Sequence, residues 1–398
     1  MKQSFSAESL EEYFTARDYY RHNVKSEELN FSDILEKIEQ EKIEFPEFKV
    51  INSIFINTSI PLEYTLVIRK LNDNIKRLYR VKQSDRHSIV KQVQILLEET
   101  SRPISILRLD IQKFYNNIDK TLVLNKIREE DSLLSYHSKY LLKKLLLEHS
   151  QFKKLDGLPF GLNISATLSE MRMKNFDKNI RKIDGVYFYV RYVDDIVIFT
   201  YKRENIEDSL NELLPNELEF HNENDLKKKF ILLEDKSTSC GSFDYLGYNF
   251  SIENKTLTTT IADVKVKKIK SRVISSFINY FRDKKFELLE QRIKFLTGNY
   301  FILKENKYEN EKKVKKLKSG IYYNYKLINN MEQLKELDIF LQKTIYAKRG
   351  KFGVKIFKML NNDKRKKLSK CSFQVGFNKK ITHNFNREIL SSINKGWK

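Results

Sequence analysis

The sequence has few of the residues that cross-link a fold or interrupt its helices. Of 398 residues, two are cysteines, Cys240 and Cys371, and neither lies in a CxxC pair. A disulfide framework and a cysteine-rich zinc site are therefore excluded. Eleven glycines and five prolines are present, and the last proline is Pro215. Because helix-interrupting residues are scarce beyond this position, we expect the second half to be mostly helical.

Long apolar runs are also missing. No stretch approaches the roughly 18 consecutive apolar residues of a membrane span, and the N-terminal sequence MKQSFSAESLEEYF lacks the basic-then-apolar order of a signal peptide. We therefore expect a soluble, cytoplasmic protein without a membrane partner. Since 40% of the residues are hydrophobic, the chain is apolar enough to bury a core, divided over about two to four domains.

Negative charge is in short supply. The 74 Lys and Arg residues outnumber the 53 Asp and Glu residues, which gives a net charge of +21 and points to a polyanionic partner such as nucleic acid. From Tyr346 to Lys398, fifteen basic residues face two acidic ones, Asp363 and Glu388, for a net +13. Surplus lysine can reflect an AT-rich genome, but that bias would not concentrate charge, so we interpret this segment as a nucleic-acid surface. Its phenylalanines serve either as helix core or as base-stacking platforms: Phe352, Phe357, Phe373, Phe377 and Phe385.

Hydrophobic spacing predicts the secondary structure of the first half. The segment from Ser6 to about Lys42 is predicted to be helical, with Ser6 or Ser9 as a cap. The partly alternating stretch from Leu66 to Val81 predicts two short strands around an Asn72-Asp73-Asn74 turn. Further helices and a strand are predicted at these positions: helices from Ser88 to Glu99, from Leu122 to Leu147 and after Pro159-Phe160-Gly161 as far as Ile180, and a strand beginning at Ser105.

The stretch FYVRYVDDIVIFT, from Phe188 to Thr200, is rich in β-branched and aromatic residues. It predicts a β-hairpin with Asp194 and Asp195 at the turn. Basic amphipathic helices are predicted from Val264 to Leu296. Strands, helices and a hairpin followed by helices indicate an α+β domain joined to a helical one.

The aspartate pair of this hairpin needs a cation or must stay partly protonated. Two unit charges about 4 Å apart repel by about 4 kcal/mol at an effective dielectric of about 20. Arg191 is a candidate partner for an exposed acidic turn, which is the common outcome for an isolated Asp-Asp pair. A third carboxylate, Asp110, lies at the end of another predicted strand. Three carboxylates on neighbouring strands would form an oxygen-rich site suited to two Mg²⁺ ions, the arrangement that serves phosphoryl transfer.

Five sequence motifs resemble, in order and spacing, motifs A to E of reverse transcriptases. A lone YxDD recurs by chance, whereas five motifs in sequence make coincidence improbable. The resemblance covers Leu66 to Leu296 and implies a right-hand polymerase of the α+β class, with fingers, a palm built on an antiparallel sheet and a helical thumb. The motifs are Asp110-x-x-x-Phe114-Tyr115, Leu158-Pro159-Phe160-Gly161 with Ser165 and Leu168, Tyr192-Val193-Asp194-Asp195, Lys236, and Phe243-Asp244-Tyr245-Leu246-Gly247-Tyr248.

The resemblance implies a role for each matching residue. Asp110, Asp194 and Asp195 become the catalytic residues and the ligands of two Mg²⁺ ions, with Mn²⁺ as a substitute and the backbone of Ile111 as a further ligand. Tyr115 becomes the steric gate that excludes a 2′-hydroxyl. The other implied roles are nucleotide contacts for Phe114, Phe160 and Gly161, protonation of pyrophosphate by Lys236, and a primer grip at Leu246 and Gly247. Plain core packing is the alternative for Phe114, Tyr115 and Leu246, and a solvated turn is the alternative for Lys236.

Other features depart from the family pattern or leave it open. Many reverse transcriptases carry Gln before the motif B glycine, where this sequence has Phe160. A polymerase also needs fixed cations in its fingers for the incoming triphosphate, and among the basic residues from 76 to 86 we select Arg80 and Arg86. The basic C-terminal segment has too few acids for an RNase H cluster, so we expect DNA synthesis without degradation of the RNA strand.

Segments outside the palm resemble bacterial defence-associated reverse transcriptases and the related abortive-infection group, most of all the first polymerase of the type-three systems with two polymerases. The resemblance implies antiviral defence, in which deoxynucleoside triphosphates are joined into a DNA product on a dedicated noncoding RNA template. It also implies a companion reverse transcriptase and a homo- or hetero-oligomer. The segments are SFSAESLEEYF, RHSIVKQVQILLEE, Leu168 to Glu170 and RIKFLTGNYFIL.

Two alternatives stay open. A retron or group II intron-like enzyme carries the same motifs, and a non-catalytic RNA-binding scaffold can be built on the same fold. The joint presence of the three aspartates and Tyr115 argues against a scaffold, which has no use for an acidic centre beside nucleic acid. We divide the chain into an N-terminal helical extension (1–65), fingers and palm (66–260), a helical thumb (261–345) and a basic C-terminal RNA-binding region (346–398).

Overall fold

The computed structural model describes residues 3–15, 18, 22, 28–82, 84–99, 104–129, 133–201, 206–222, 228–233, 241–253, 256–304 and 315–397. They form two compact units. The first contains the described residues of Met1–Ile89 and Pro103–Glu234, and the second those of Val90–Arg102, Asp235–Lys304 and Val314–Lys398. Helices and mostly antiparallel sheets are mixed in the chain, which confirms the predicted α+β class.

The strands, numbered in chain order, form small sheets within the two units. In the first unit β4, β5, β3 and β6 lie side by side in this order, all antiparallel, and β1 pairs with β2. In the second unit β7, β8 and β9 form one antiparallel sheet, while β10 pairs antiparallel with β11 and parallel with β12. The bounds are β1 Val50–Ile51, β2 Ile54–Phe55, β3 Ile104–Asp110, β4 Val186–Tyr192, β5 Asp195–Thr200, β6 Lys229–Leu233, β7 Gly241–Tyr245, β8 Tyr248–Glu253, β9 Thr256–Ile261, β10 Asn299–Lys304, β11 Lys315–Gly320 and β12 Thr382–His383.

Both units contain helices besides these sheets. In the first unit they are Ala7–Glu11, Ser32–Glu39, Leu62–Leu78, Phe114–Asn117, Lys120–Glu129, Tyr136–Lys143, Asn163–Ile180 and Ile206–Leu213, with a 3₁₀ turn at Asn57–Ser59 and a π-helical turn at Lys144–Glu148. The helix Arg86–Glu99 begins in the first unit, and its residues from Val90 onward are assigned to the second. In the second unit they are Asp263–Asp283, Phe286–Thr297, Ile321–Tyr325, Glu332–Ile345, Gly350–Met359, Asn362–Ser369, Phe373–Asn378 and Arg387–Lys395. None of these helices is long and apolar enough to cross a membrane.

The central strand β5 of the four-stranded sheet is buried on both faces. In β5, every residue from Ile196 to Thr200 is buried, as expected of a strand between two layers. The helices Leu62–Leu78 and Asn163–Ile180 pack against each other in the same unit. Their buried residues join residues of β3 and β5 in one continuous apolar core.

The prediction of two strands between Leu66 and Val81 was wrong, because these residues lie mostly in the helix Leu62–Leu78. Its apolar side chains follow a helical stripe, and several of them, such as Leu71 and Ile75, are fully buried. The turn-forming residues find partners in the tertiary structure instead. The side chain of Asn74 donates to the Gln3 carbonyl and to the Ser138 hydroxyl, and Asp73 accepts from Tyr13.

The predicted hairpin of motif C is confirmed, but its turn is displaced by one residue. Strand β5 begins at Asp195, which pairs with Tyr192 across the hairpin, so the turn consists of Val193 and Asp194. Val193 has φ 63°, in the left-handed region that a β-branched residue rarely adopts. The hairpin therefore holds a strained residue directly before Asp194.

The second unit is mostly helical, as predicted, but strands β10 and β11 were missed within the expected helical thumb. The chain leaves the helix Phe286–Thr297 through Gly298 and enters β10 at Asn299, which is fully buried. The Asn299 side chain donates to the carbonyls of Gly376 and Ile381 and accepts from the backbone of Tyr322. These partners are distant in sequence, so local spacing does not reveal the strand.

Candidate active site

Three aspartates meet at one end of the four-stranded sheet. Asp110 ends β3 and lies directly opposite Asp195, the first residue of β5. Asp194 precedes Asp195 in the turn, and its carbonyl accepts a hydrogen bond of 3.1 Å from the Ile111 backbone. Directly opposite residues of an antiparallel pair have Cβ atoms about 5 Å apart and project from the same face. The structure thus brings together the carboxylates that the motifs predict.

Two nitrogen-bearing side chains hold the facing carboxylates. Arg108 Nη2 donates to Asp195 Oδ1 at 2.9 Å. His221 Nε2 lies 3.2 Å from Asp110 Oδ1, and the His221 backbone donates to the Asp110 carbonyl at 3.0 Å. Neither residue was predicted from the sequence. The spacing of Arg108, two residues before Asp110 on the same strand, was a usable signal because such residues share a face, whereas His221 comes from a distant loop.

Arg191, considered as the partner of the aspartate pair, serves another purpose. Its guanidinium is buried and binds Glu170 at 2.8 Å and Asp177 at 2.7 Å, and it also donates to the Val193 carbonyl at 2.8 Å. Burial works to lower the pKa of Arg191, but the hydrogen bonds that it donates to Asp177 and the charge of Glu170 outweigh burial and raise the pKa above its usual range. Arg191 therefore stays charged and clamps the turn from the side of the helix Asn163–Ile180.

Tyr115 lies next to the acidic centre. Its ring is half-buried, 5.5 Å from the Phe160 ring and 5.3 Å from the Phe114 ring. Burial raises the pKa of the Tyr115 hydroxyl, and the negative charges of Asp194 and Glu170 raise it further. Phe160 is 44% exposed, whereas Phe114 is 3% exposed, as its core interpretation requires. Tyr115 and Phe160 thus offer an aromatic surface beside Asp194.

Gly161 is required for a close approach within the protein. It has φ +107°, and a Cβ atom there would lie 2.4 Å from the Phe55 carbonyl oxygen. The Phe55 backbone also donates to the Phe160 carbonyl at 2.8 Å. The motif resemblance implies a nucleotide contact for this glycine; in the structure, strand β2 comes close to it.

The remaining candidates are dispersed. Arg80, in the left-handed region at φ 52°, lines a cavity with the helix Asn163–Ile180, and Arg86 is the first residue of the helix Arg86–Glu99. Leu246 and Gly247 form the turn between β7 and β8 in the second unit, with φ 47° and 81°, so the predicted motif E hairpin exists. Lys236 lies outside the described residues, and so does Cys240. Cys371 is a free thiol.

The donor set suits a hard divalent cation, because carboxylate oxygens are the ligands that Mg²⁺ prefers. Within the described ranges, no three His, Cys, Asp or Glu side chains converge in the manner of metal ligands. The contacts explain this: the Asp195 carboxylate is turned toward Arg108 and the Asp110 carboxylate toward His221. Asp110, Asp194 and the Ile111 backbone are the metal ligands that the motif resemblance implies.

An antiparallel sheet with three aspartates at one end, backed by helices, defines the palm of a right-hand polymerase. Residues 60–250 match the family model described as reverse transcriptase (RNA-dependent DNA polymerase). These residues therefore form a reverse transcriptase domain, as motifs A to E predict. No curated protein matches the chain.

Solved telomerase structures show a distant likeness. They include telomerase of Candida tropicalis truncated from its C-terminal domain (14% identity, TM-score 0.34, covering 48% of this chain and 44% of that one) and telomerase of Candida albicans in complex with a fragment of telomeric RNA (12%, 0.32, 83% and 53%). Apo telomerase of Candida tropicalis matches at 11% identity, TM-score 0.36, over 83% and 56%. The chain spans about half the length of these telomerase chains. At such scores the domain assignment rests on the family model and on the site.

Proposed function

We propose that the chain is an RNA-directed DNA polymerase whose chemistry takes place at Asp110, Asp194 and Asp195. The observation that carries the proposal is the pairing of Asp110 with Asp195 across β3 and β5, with Asp194 in the adjoining turn. Asp110 and Asp194 would hold two Mg²⁺ ions, or Mn²⁺ in their place, together with the backbone of Ile111. Such ions supply charge stabilisation to the attacking and leaving oxygens of an in-line displacement.

The protein's own residues would place the nucleotide. The Tyr115 ring would lie under the sugar and leave no room for a 2′-hydroxyl, with Phe160 beside it in the place that Gln takes in many reverse transcriptases. Arg80 and Arg86 would bind the triphosphate. Lys236 would protonate pyrophosphate, and the Leu246-Gly247 turn would hold the primer. These roles are supported by the motif resemblance and, for Tyr115, by its nearness to Asp194.

The test is DNA synthesis by the purified protein with its co-purified RNA and deoxynucleoside triphosphates. We expect DNA from the wild type and none from the Asp194→Asn, Asp195→Asn double variant. Asp208→Asn, an exposed aspartate in the helix Ile206–Leu213, is the control for the loss of an acidic charge. Synthesis that survives the double substitution rules out this active site. Absence of synthesis from every RNA tested, despite folded protein, favours the RNA-binding scaffold.

We further propose that this polymerase acts in bacterial antiviral defence, in the cytoplasm, on a dedicated noncoding RNA template and with a companion reverse transcriptase. The support is the resemblance of the N-terminal, pre-motif A and thumb segments to defence-associated enzymes. Retron and group II intron-like enzymes are the competing assignments. Sequencing the RNA and DNA that co-purify with the protein discriminates among them: a recurrent neighbouring noncoding RNA supports the defence proposal, whereas an RNA joined to its DNA product or an intron contradicts it.

The segment from 346 to 398 is proposed to bind RNA through phosphates. Phe373 and Phe377 are buried, in line with a core role, but Phe357 is 49% exposed and lies under two cations, with Arg365 at 4.8 Å and Lys348 at 5.5 Å from its ring. We expect RNA affinity to fall steeply with salt. Lys366 and Lys367 are exposed lysines of the helix Asn362–Ser369. Replacing both by Gln should weaken the binding of RNA to the same extent whatever its sequence. A flat salt dependence contradicts the proposal.

A further inference from the structure

A cavity of about 670 Å³ lies in the first unit, apart from the carboxylates. Three elements form its walls: the loop that contains Arg80 and Lys82, the second half of the helix Asn163–Ile180, and strand β4. Strand β4 is at the edge of the four-stranded sheet, so the cavity opens beside the sheet. We call it the basic cavity, because basic side chains dominate its rim.

The rim carries five exposed cations: Arg80, Lys82, Lys174, Lys178 and Arg181. Among the described residues, none of the five forms an ion pair; Arg181 only lies 5.7 Å from the Tyr189 ring. With Arg191, six basic residues line the cavity against two acidic ones, a net +4. Arg80 is also proposed to bind the triphosphate, but the other four unpaired cations around this concavity raise the local potential, which attracts an anionic ligand.

The two acids of the basic cavity are already neutralised inside the protein. Glu170 and Asp177 both bind the buried guanidinium of Arg191, and Asp177 also accepts from the Tyr189 hydroxyl at 2.5 Å. Asp177 receives two bonds from Arg191, at 2.8 and 2.7 Å. These carboxylates therefore neutralise Arg191 at the floor of the cavity and not the lysines of its rim. The charge of the rim can be neutralised only by negative groups from outside the protein.

The spacing of the rim cations indicates a ligand with several charges in a row. Lys174 and Lys178 lie on the helix at i and i+4, and Arg181, the residue that caps its C-terminus, follows at i+7. At a rise of about 1.5 Å per residue the three span about 10 Å along the helix axis. The aromatic residues of the cavity, Tyr79 and Tyr189, are each 8% exposed, so no ring is available as a stacking platform for bases. The cavity can thus recognise phosphates without reading a sequence.

We propose that the basic cavity binds a single strand of nucleic acid through its phosphates. Whether this strand is the template or the product rests on the proposed polymerase function. The binding of a strand to the basic cavity does not depend on that function. The floor residue Arg191 also donates to the carbonyl of Val193, the residue before Asp194. Arg191 therefore connects the basic cavity to the turn that carries Asp194. We expect such a connection if the bound strand enters or leaves the active site.

Binding of a short oligonucleotide to the full chain tests the proposal, measured by fluorescence anisotropy over a range of salt, without nucleotides. RNA and DNA of the same sequence form two arms. The variant carries Lys174→Gln, Lys178→Gln and Arg181→Gln, and the control carries Lys49→Gln, Lys153→Gln and Lys154→Gln, three exposed lysines of the same unit. Three lost phosphate contacts reduce the slope of log affinity against log salt by about 2.

We expect that reduction, with an affinity loss of about tenfold or more at moderate salt, for the variant and not for the control. A loss confined to RNA or to DNA supports the proposal and identifies the strand. Equal slopes and affinities of variant and control, for both RNA and DNA, overturn the proposal. Polyglutamate serves as a polyanion without phosphates: a variant that loses binding of polyglutamate but still binds the oligonucleotides also overturns it. The Asp194→Asn, Asp195→Asn protein should bind as the wild type does, so failure of polymerase activity leaves this result readable.

A measurement on the wild-type protein guards against a misfolded variant. A saturating oligonucleotide should protect Lys174 and Lys178 from acetylation, detected by mass spectrometry, while Lys153 and Lys154 keep their reactivity. Unchanged acetylation of Lys174 and Lys178 in the presence of either oligonucleotide would overturn the proposal.

Discussion

Arg108 and Asp195 form an ion pair across strands β3 and β5, with Nη2 and Oδ1 2.9 Å apart and both side chains largely shielded from water. Arg108 belongs to the same strand as Asp110, two residues before it. One short strand thus supplies both a carboxylate of the acidic centre and the cation that neutralises a second one. The pair offsets the repulsion between Asp110 and Asp195 that their opposite positions create.

Replacing Arg108 by Met should lower the rate of primer extension by about 10- to 100-fold, the usual effect of removing a side chain that orients a ligand of a metal site. Asp195 would then lose its orientation and repel Asp110. Arg108→Lys should restore part of the rate, since an ammonium keeps the charge but not the planar geometry. Arg172, which binds Glu217 at 2.7 Å in the same unit, provides the matched control. Arg172→Met with an equal loss of rate would contradict a specific role for Arg108.

Tyr115→Ala should relax the choice of sugar. The ratio of deoxynucleotide to ribonucleotide incorporation, measured in competition, should fall by about 100-fold because the ring that excludes the 2′-hydroxyl is gone. Tyr115→Phe keeps the ring and should keep the ratio, since the hydroxyl is neutral at working pH, its pKa being raised by burial and by Asp194. A ratio that is unchanged in Tyr115→Ala refutes the steric gate, whatever the absolute rates.

Gly161→Ala should destabilise the first unit. The alanine must adopt φ +107° and place its Cβ against the Phe55 carbonyl, so we expect a loss of about 3 kcal/mol in the free energy of unfolding. Gly350 is the control: it also has a positive φ, +72°, but no atom lies within 4 Å of an added Cβ, so Gly350→Ala should cost only about 1 kcal/mol. Urea unfolding followed by circular dichroism measures both. Equal losses would mean that the approach of Phe55 is unimportant.

Arg191→Met should be severely destabilising, by about 3 to 5 kcal/mol, because it leaves Glu170 and Asp177 without their buried partner. Arg191→Lys should recover little, since one ammonium cannot replace the hydrogen bonds of a guanidinium to two carboxylates. The triple variant Arg191→Met, Glu170→Gln, Asp177→Asn should recover most of the stability. If the triple variant is as unstable as Arg191→Met, loss of packing and not the unpaired charge is the cause.

The sequence predicted the parts of the site that depend on local patterns. β-Branched residues around the aspartates indicated strands, and the structure places Asp110 and Asp195 opposite each other on β3 and β5. The errors come from long-range contacts. Asn74 was predicted to form a turn, but it lies in a helix because its amide donates to Gln3 and Ser138, which are distant in sequence. Likewise, no local pattern pairs His221 with Asp110. The electrostatic partners of a site are the residues that lie close to it in the folded protein, and their spacing along the chain does not predict this proximity.

The hydrogen bond from Phe55 to the Phe160 carbonyl has a consequence for dissecting this protein. Strand β2 precedes the residues that match the reverse transcriptase family, which begin at residue 60. A fragment cut at the family boundary would keep every catalytic motif yet lose the backbone against which Gly161 rests. The smallest autonomous catalytic fragment should therefore start before the β1–β2 hairpin, because sequence outside the polymerase motifs shapes the loop of Phe160 and Gly161.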